Sequence, residues 1–70
     1  MVRNPVSSSN LKSVGYDFIR LNLEIEFHSG GVYRYSNVPS HVFDGLTNAS
    51  SKGSYFCDHI KNVYGCTKII

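Results

Sequence analysis

Seventy residues with a formal charge of +2 make one domain and no more, and an excess of seven Lys/Arg over five Asp/Glu is too slight to argue for nucleic-acid binding by charge alone. No run approaches the ~20 apolar residues of a membrane span, and the opening MVRNPVSSS lacks the apolar stretch of a signal peptide. A cytoplasmic protein with no membrane partner is therefore expected, and Cys57 and Cys66, which would close only a short loop, are expected as reduced thiols.

In chain order, residues 1–9 are polar, with Pro5 and the run Ser7-Ser8-Ser9, and are expected to be a flexible N-terminal arm ahead of a single domain over residues 10–70. Leu11 to Tyr16 alternate as a first strand, with Gly15 a candidate bulge. Asp17 to Arg20 turn the chain. Leu21, Leu23, Ile25 and Phe27 then alternate with Asn22, Glu24, Glu26 and His28, the pattern of a strand with one buried face. Ser29-Gly30-Gly31 is turn chemistry, and Val32 to Tyr35 complete a hairpin.

After Val38-Pro39 the period changes. Val42, Phe43, Leu46 and Ala49 share one helical face, with Pro39 in the first turn and Ser40 as N-cap. A second helix begins near Ser50-Ser51-Lys52-Gly53. Phe56, Ile60, Val63 and Tyr64 lie on one side of it, Gly65 is the expected stop, and the tail Cys66 to Ile70, apolar at its end, is read either as a further short strand or as a segment packed on the core. The fold class is α+β: a three-stranded antiparallel sheet with two C-terminal helices packed on one face.

The faces of Tyr33 and Tyr35 follow from loop parity, because a one-residue slip turns every side chain over. A three-residue loop, Ser29-Gly30-Gly31, with Gly31 left-handed, places Phe27 opposite Tyr33 and Ile25 opposite Tyr35, both tyrosines under the helices. Arg34 then faces Glu26 on the outer side. A two-residue loop would bury an unpaired Arg34 under the helices, at a cost of several kcal/mol. Tyr33 and Tyr35 are thus read as structural.

With this motif placed, the chain resembles a KTSC domain, a module named for the C-terminus of some lysyl-tRNA synthetases. The residues that carry the resemblance run in order: Ser8-Ser9-Asn10-Leu11, Val14-Gly15-Tyr16-Asp17, Leu23-Glu24-Ile25-Glu26-Phe27, Gly30, Tyr33-Arg34-Tyr35, Val38-Pro39, Leu46, Ala49, Ser51, Gly53, Tyr55-Phe56, Ile60 and Tyr64. The resemblance implies a small non-catalytic module of bacteria or their viruses, with RNA binding as the activity that the synthetase context implies. Two departures stand out. Cys57 follows Tyr-Phe where the family tends to have asparagine, and Phe18-Ile19 occupy a turn that is usually polar.

The chemistry points away from catalysis. Cys57 and His59 are two apart on a helix and diverge by about 200°. His28, His41, His59, Cys57 and Cys66 contain no CxxC or HxxxH pair, so no metal and no cofactor are expected. Glu24 and Glu26 lie on the outer strand face, where both are expected to reach solvent. Ser51-Lys52-Gly53-Ser54 open the second helix and could offer free N–H groups and a lysine to a phosphate, with Tyr55 exposed as a stacking ring and Arg34 on the sheet. Two partners follow as expectations: RNA at Ser51, Lys52, Gly53, Ser54, Tyr55 and Arg34, or a protein at an apolar patch of Phe18, Ile19, Ile69 and Ile70.

Overall fold

A computed structural model describes residues 1–70. The elements run β1 (Asn4–Pro5), β2 (Leu11–Asp17), β3 (Asn22–Phe27), β4 (Val32–Tyr35), α1 (Ser40–Asn48), α2 (Lys52–His59) and β5 (Cys66–Lys68). The strands form one antiparallel sheet in the order β1-β2-β3-β4-β5. The fold is α+β with two helices, as expected, but the sheet has five strands and not three. Both extra strands are edges of two and three residues whose side chains are all exposed. Such strands carry no buried face, so they leave no period in the sequence.

The segment expected as a loose arm supplies β1. Val6 N donates to Lys12 O at 3.2 Å, and Asn4 and Pro5 lie opposite Val14 and Ser13. Gly15 permits this. A Cβ there would stand 2.7 Å from the Val2 carbonyl oxygen, so only a glycine lets the N-terminal segment lie this close to the sheet. Gly15 is thus a close-approach residue. The irregularity in β2 falls between Leu11 and Ser13 instead. That extra residue lets Leu11 and Val14, which a regular strand would set on opposite faces, both enter the core.

The hairpin loop has odd length, as parity requires, but lies one residue earlier than expected. Gly30 N donates to Phe27 O at 3.0 Å and Phe27 N to Gly31 O at 3.2 Å, which leaves His28-Ser29-Gly30 as the loop. Gly30 and Gly31 take φ of 101° and 92°, a region that side chains with a Cβ avoid. Tyr33 therefore lies opposite Ile25, Tyr35 opposite Leu23 and Arg34 opposite Glu24. Faces survive the shift and partners do not: Arg34 meets Glu24, not Glu26.

Leu11, Val14, Leu23, Ile25, Tyr35 and Val38 pack with Val42 and Leu46 of α1, Phe56 of α2 and Ile60 in the main core. Tyr35 sits edge-on to Phe56, with ring centroids 5.6 Å apart. Ser40 is the first helical residue and Pro39 its cap, with no side-chain cap bond. The second helix ends at His59, short of the expected Gly65. The chain then turns through Asn62 at a φ of 62°, a conformation asparagine tolerates, and Val63 is left exposed.

Candidate functional site

Three surfaces hold the residues singled out above. At the start of α2, Ser51 is the N-cap and its Oγ accepts from Ser54 N at 3.3 Å. Gly53 brings the helix against Asn10, whose Nδ2 would lie 3.2 Å from a Cβ at that position. The cleft there, about 300 Å³, contains Ser51, Gly53 and Ser54, but its one charged residue is Asp58. Lys52 is directed back, donating to Ala49 O at 3.1 Å. Tyr55 is half-buried against α1, with its hydroxyl end over Gly45 and its ring 4.3 Å from that of His59. The structure thus brings Ser51, Gly53 and Ser54 together and sets Tyr55 into the helix–helix contact, not out as a free ring.

Arg34 belongs to a different surface, the outer face of the sheet. Its Nε and Nη2 both donate to Glu24 Oε2, at 3.3 and 2.9 Å, while Arg3 Nη1 donates to Glu24 Oε1 at 2.9 Å. Glu24 is 5% exposed, although an outer-face carboxylate was expected to reach solvent. The N-terminal segment covers it, and that segment was not legible as structured. Burial pushes its pKa up, but the hydrogen bonds and charges of Arg34 and Arg3 outweigh this and hold it below the ordinary glutamate value. Glu26 accepts from Ser13 Oγ at 2.9 Å. Tyr33 and Tyr35 lie on the other face, Tyr35 buried and its hydroxyl pKa raised first by burial and further by the thiol of Cys66, the residue paired with it on β5.

The third surface is the β2–β3 turn. Asp17 Oδ1 accepts from the backbone of Ile19 at 2.9 Å and of Arg20 at 3.0 Å, and Leu21 N donates to Asp17 O at 2.8 Å. Those bonds from Arg20 and Ile19 hold the Asp17 carboxyl below its usual range. The turn presents Phe18 and Ile19, 64% and 91% exposed. Phe18 is edge-on to Tyr16, whose ring stacks on Phe43, and Tyr16 Oη donates to Val38 O. Met1 and Val2 join the turn in lining an apolar cleft of about 380 Å³.

Ile69 and Ile70 are not part of this surface. They bond to Val32, beside the β3–β4 turn. The six residues of β3 separate the two turns, about 20 Å at the rise of an extended strand. The expected four-residue patch is therefore two patches at opposite ends of the sheet. What sequence reading missed was the contribution of Met1 and Val2, which follows only from the placement of β1.

A five-stranded antiparallel sheet covered on one face by two helices, with the YRY motif on β4 between β3 and β5, defines a small α+β module with no helix long and apolar enough to cross a membrane. The family model of the KTSC domain matches residues 7–64, and the chain belongs to that family. A crystal structure of a KTSC domain protein from Yersinia pestis superposes with a TM-score of 0.96 at 42% identity, covering 99% of this chain and 97% of that one. An uncharacterized protein of Stutzerimonas stutzeri (strain A1501) is 46% identical over 56 residues, 80% of this chain and 79% of its own. A lysine–tRNA ligase of Nostoc punctiforme is 43% identical over 56 residues, which are 80% of this chain but 10% of the ligase.

Proposed function

We propose that the chain is a non-catalytic binding module that docks a protein partner at the Phe18–Ile19 end of the sheet. The observation that carries this reading is Ile19, almost fully exposed on a turn that Asp17 ties down, beside an apolar cleft. Contiguous exposed apolar surface favours association, and a turn already ordered loses little entropy on binding. Occurrence both as most of a small protein and as a tenth of a ligase supports a portable module. Exposed free thiols at Cys57 and Cys66 fit a reducing cytoplasm. Photo-crosslinking residues placed in cells at Ile19 and, as control, at exposed Ser29 in the β3–β4 loop test the reading. Adducts specific to position 19 support it, and equal or absent adducts at both positions sink it.

Similarity to a lysine–tRNA ligase favours RNA as a second reading. It would use the α2 start, Ser51, Lys52, Gly53 and Ser54, with Lys52 released from Ala49. Affinity for tRNA that falls with salt and with Lys52→Ala is its expected signature. No affinity at low salt removes it.

A further inference from the structure

We infer that the partner segment recognised at the β2–β3 turn is acidic as well as apolar, with a carboxylate beside a large apolar side chain. This rests on the docking reading above and adds the chemistry of the partner. The apolar cleft at Phe18 and Ile19 shares Met1 and Asp17 with a polar cleft of about 330 Å³ that also takes in Arg20, Asn22, Glu24 and Arg34. A ligand seated on one therefore reaches the other.

The carboxylates of this polar cleft are already engaged. Asp17 Oδ1 holds the Ile19 and Arg20 amides, and Oδ2 lies 3.4 Å from Arg20 Nη1. Glu24 gives Oε1 to Arg3 and Oε2 to Arg34. The guanidiniums keep donors free, since each carries five N–H groups. Arg34 uses only Nε and Nη2 on Glu24, and Arg20, its side chain 77% exposed, makes one long contact.

Charge runs the same way. One glutamate serves two arginines, so Arg3, Glu24 and Arg34 together carry +1, while Arg20 and Asp17 cancel. An incoming carboxylate meets exposed guanidinium N–H groups that no carboxylate of the chain holds, beside the +1 of the Arg3–Glu24–Arg34 cluster, and an incoming ammonium meets no unengaged carboxylate.

The test uses capped peptides that pair leucine with glutamate, with glutamine or with lysine, titrated into the isotopically labelled chain. The glutamate peptide is expected to shift the amides of residues 16–22 and of Arg34, and the glutamine peptide to bind about tenfold more weakly, the loss of one charge-assisted hydrogen bond. Arg20→Gln is expected to abolish that difference, and Ile19→Ser to weaken all peptides alike. Equal binding of all three peptides, or preference for lysine, overturns the acidic partner and leaves apolar docking standing. No shifts at residues 16–22 with any peptide removes both readings, as does an oligoribonucleotide that shifts them where the glutamate peptide does not.

Discussion

Arg34 and Glu24 face each other across β3 and β4, joined by hydrogen bonds from both Nε and Nη2 to one carboxylate oxygen, while the other oxygen holds Arg3. The central residue of the YRY motif thereby ties the hairpin to the segment just ahead of β1 through a single buried carboxylate. Removing that carboxylate leaves two cations facing each other with no counter-charge, and Glu24→Ala is expected to cost about 1–3 kcal/mol. The half-exposed guanidiniums, which water can partly solvate, keep the loss below that of a fully buried pair. Urea denaturation at neutral pH measures it.

The same residue sets a pH dependence. Folding lowers the pKa of Glu24, so the unfolded chain binds this proton more readily. The stability it contributes is complete above the unfolded value, about 4.3, and is lost as pH falls through the lower folded value. Asp17, also lowered, acts in the same direction. The unfolding free energy of the wild type should fall with acid below that point, and Glu24→Gln should flatten the fall. An unchanged acid slope in Glu24→Gln would show that the carboxylate is not the group responsible.

Gly15 tests whether the N-terminal segment depends on close approach. Gly15→Ala places a methyl 2.7 Å from the Val2 carbonyl, a backbone atom that cannot rotate aside. A loss of about 1–3 kcal/mol is expected from overpacking. Hydrogen exchange gives the sharper readout: the Val6 amide, bonded to Lys12 O, should lose protection while amides of β3 keep theirs.

Gly45 offers a sign reversal. In an exposed helix, glycine to alanine stabilises by about 1 kcal/mol. Here the added Cβ would fall on the Tyr55 hydroxyl and ring, so Gly45→Ala is expected to destabilise instead. In a Tyr55→Leu background the substitution should become neutral or stabilising. A double-mutant cycle by thermal denaturation reads the coupling.

The docking surface separates binding from stability. Ile19 is nearly all in solvent, so Ile19→Ser should change stability by less than about 0.5 kcal/mol. Phe18 is edge-on to Tyr16 and Phe43 despite its exposure, and Phe18→Ala should lose the aromatic contribution of about 0.5–1.5 kcal/mol. Thermal melts of the two variants side by side distinguish a surface residue from an anchored one.

The sequence alone carried the central strands, the two helices, the family and the faces of Tyr33 and Tyr35. These rest on period and parity, which are local and repeat over several residues. Exposure of Phe18 and Ile19 was legible for the same reason, since they interrupt a turn and belong to no periodic face. The tertiary structure alone decided the rest. It paired Arg34 with Glu24, because an odd loop length sets the face but not the register. It built β1 and chose a strand over core packing for Cys66 to Lys68, because strands of two and three exposed residues have no pattern to read. It buried Glu24 beneath the N-terminal segment, turned Lys52 and Tyr55 inward, and parted Ile69 and Ile70 from Phe18 and Ile19. Each of these depends on which distant segments meet, and that is fixed by the packing of the whole chain.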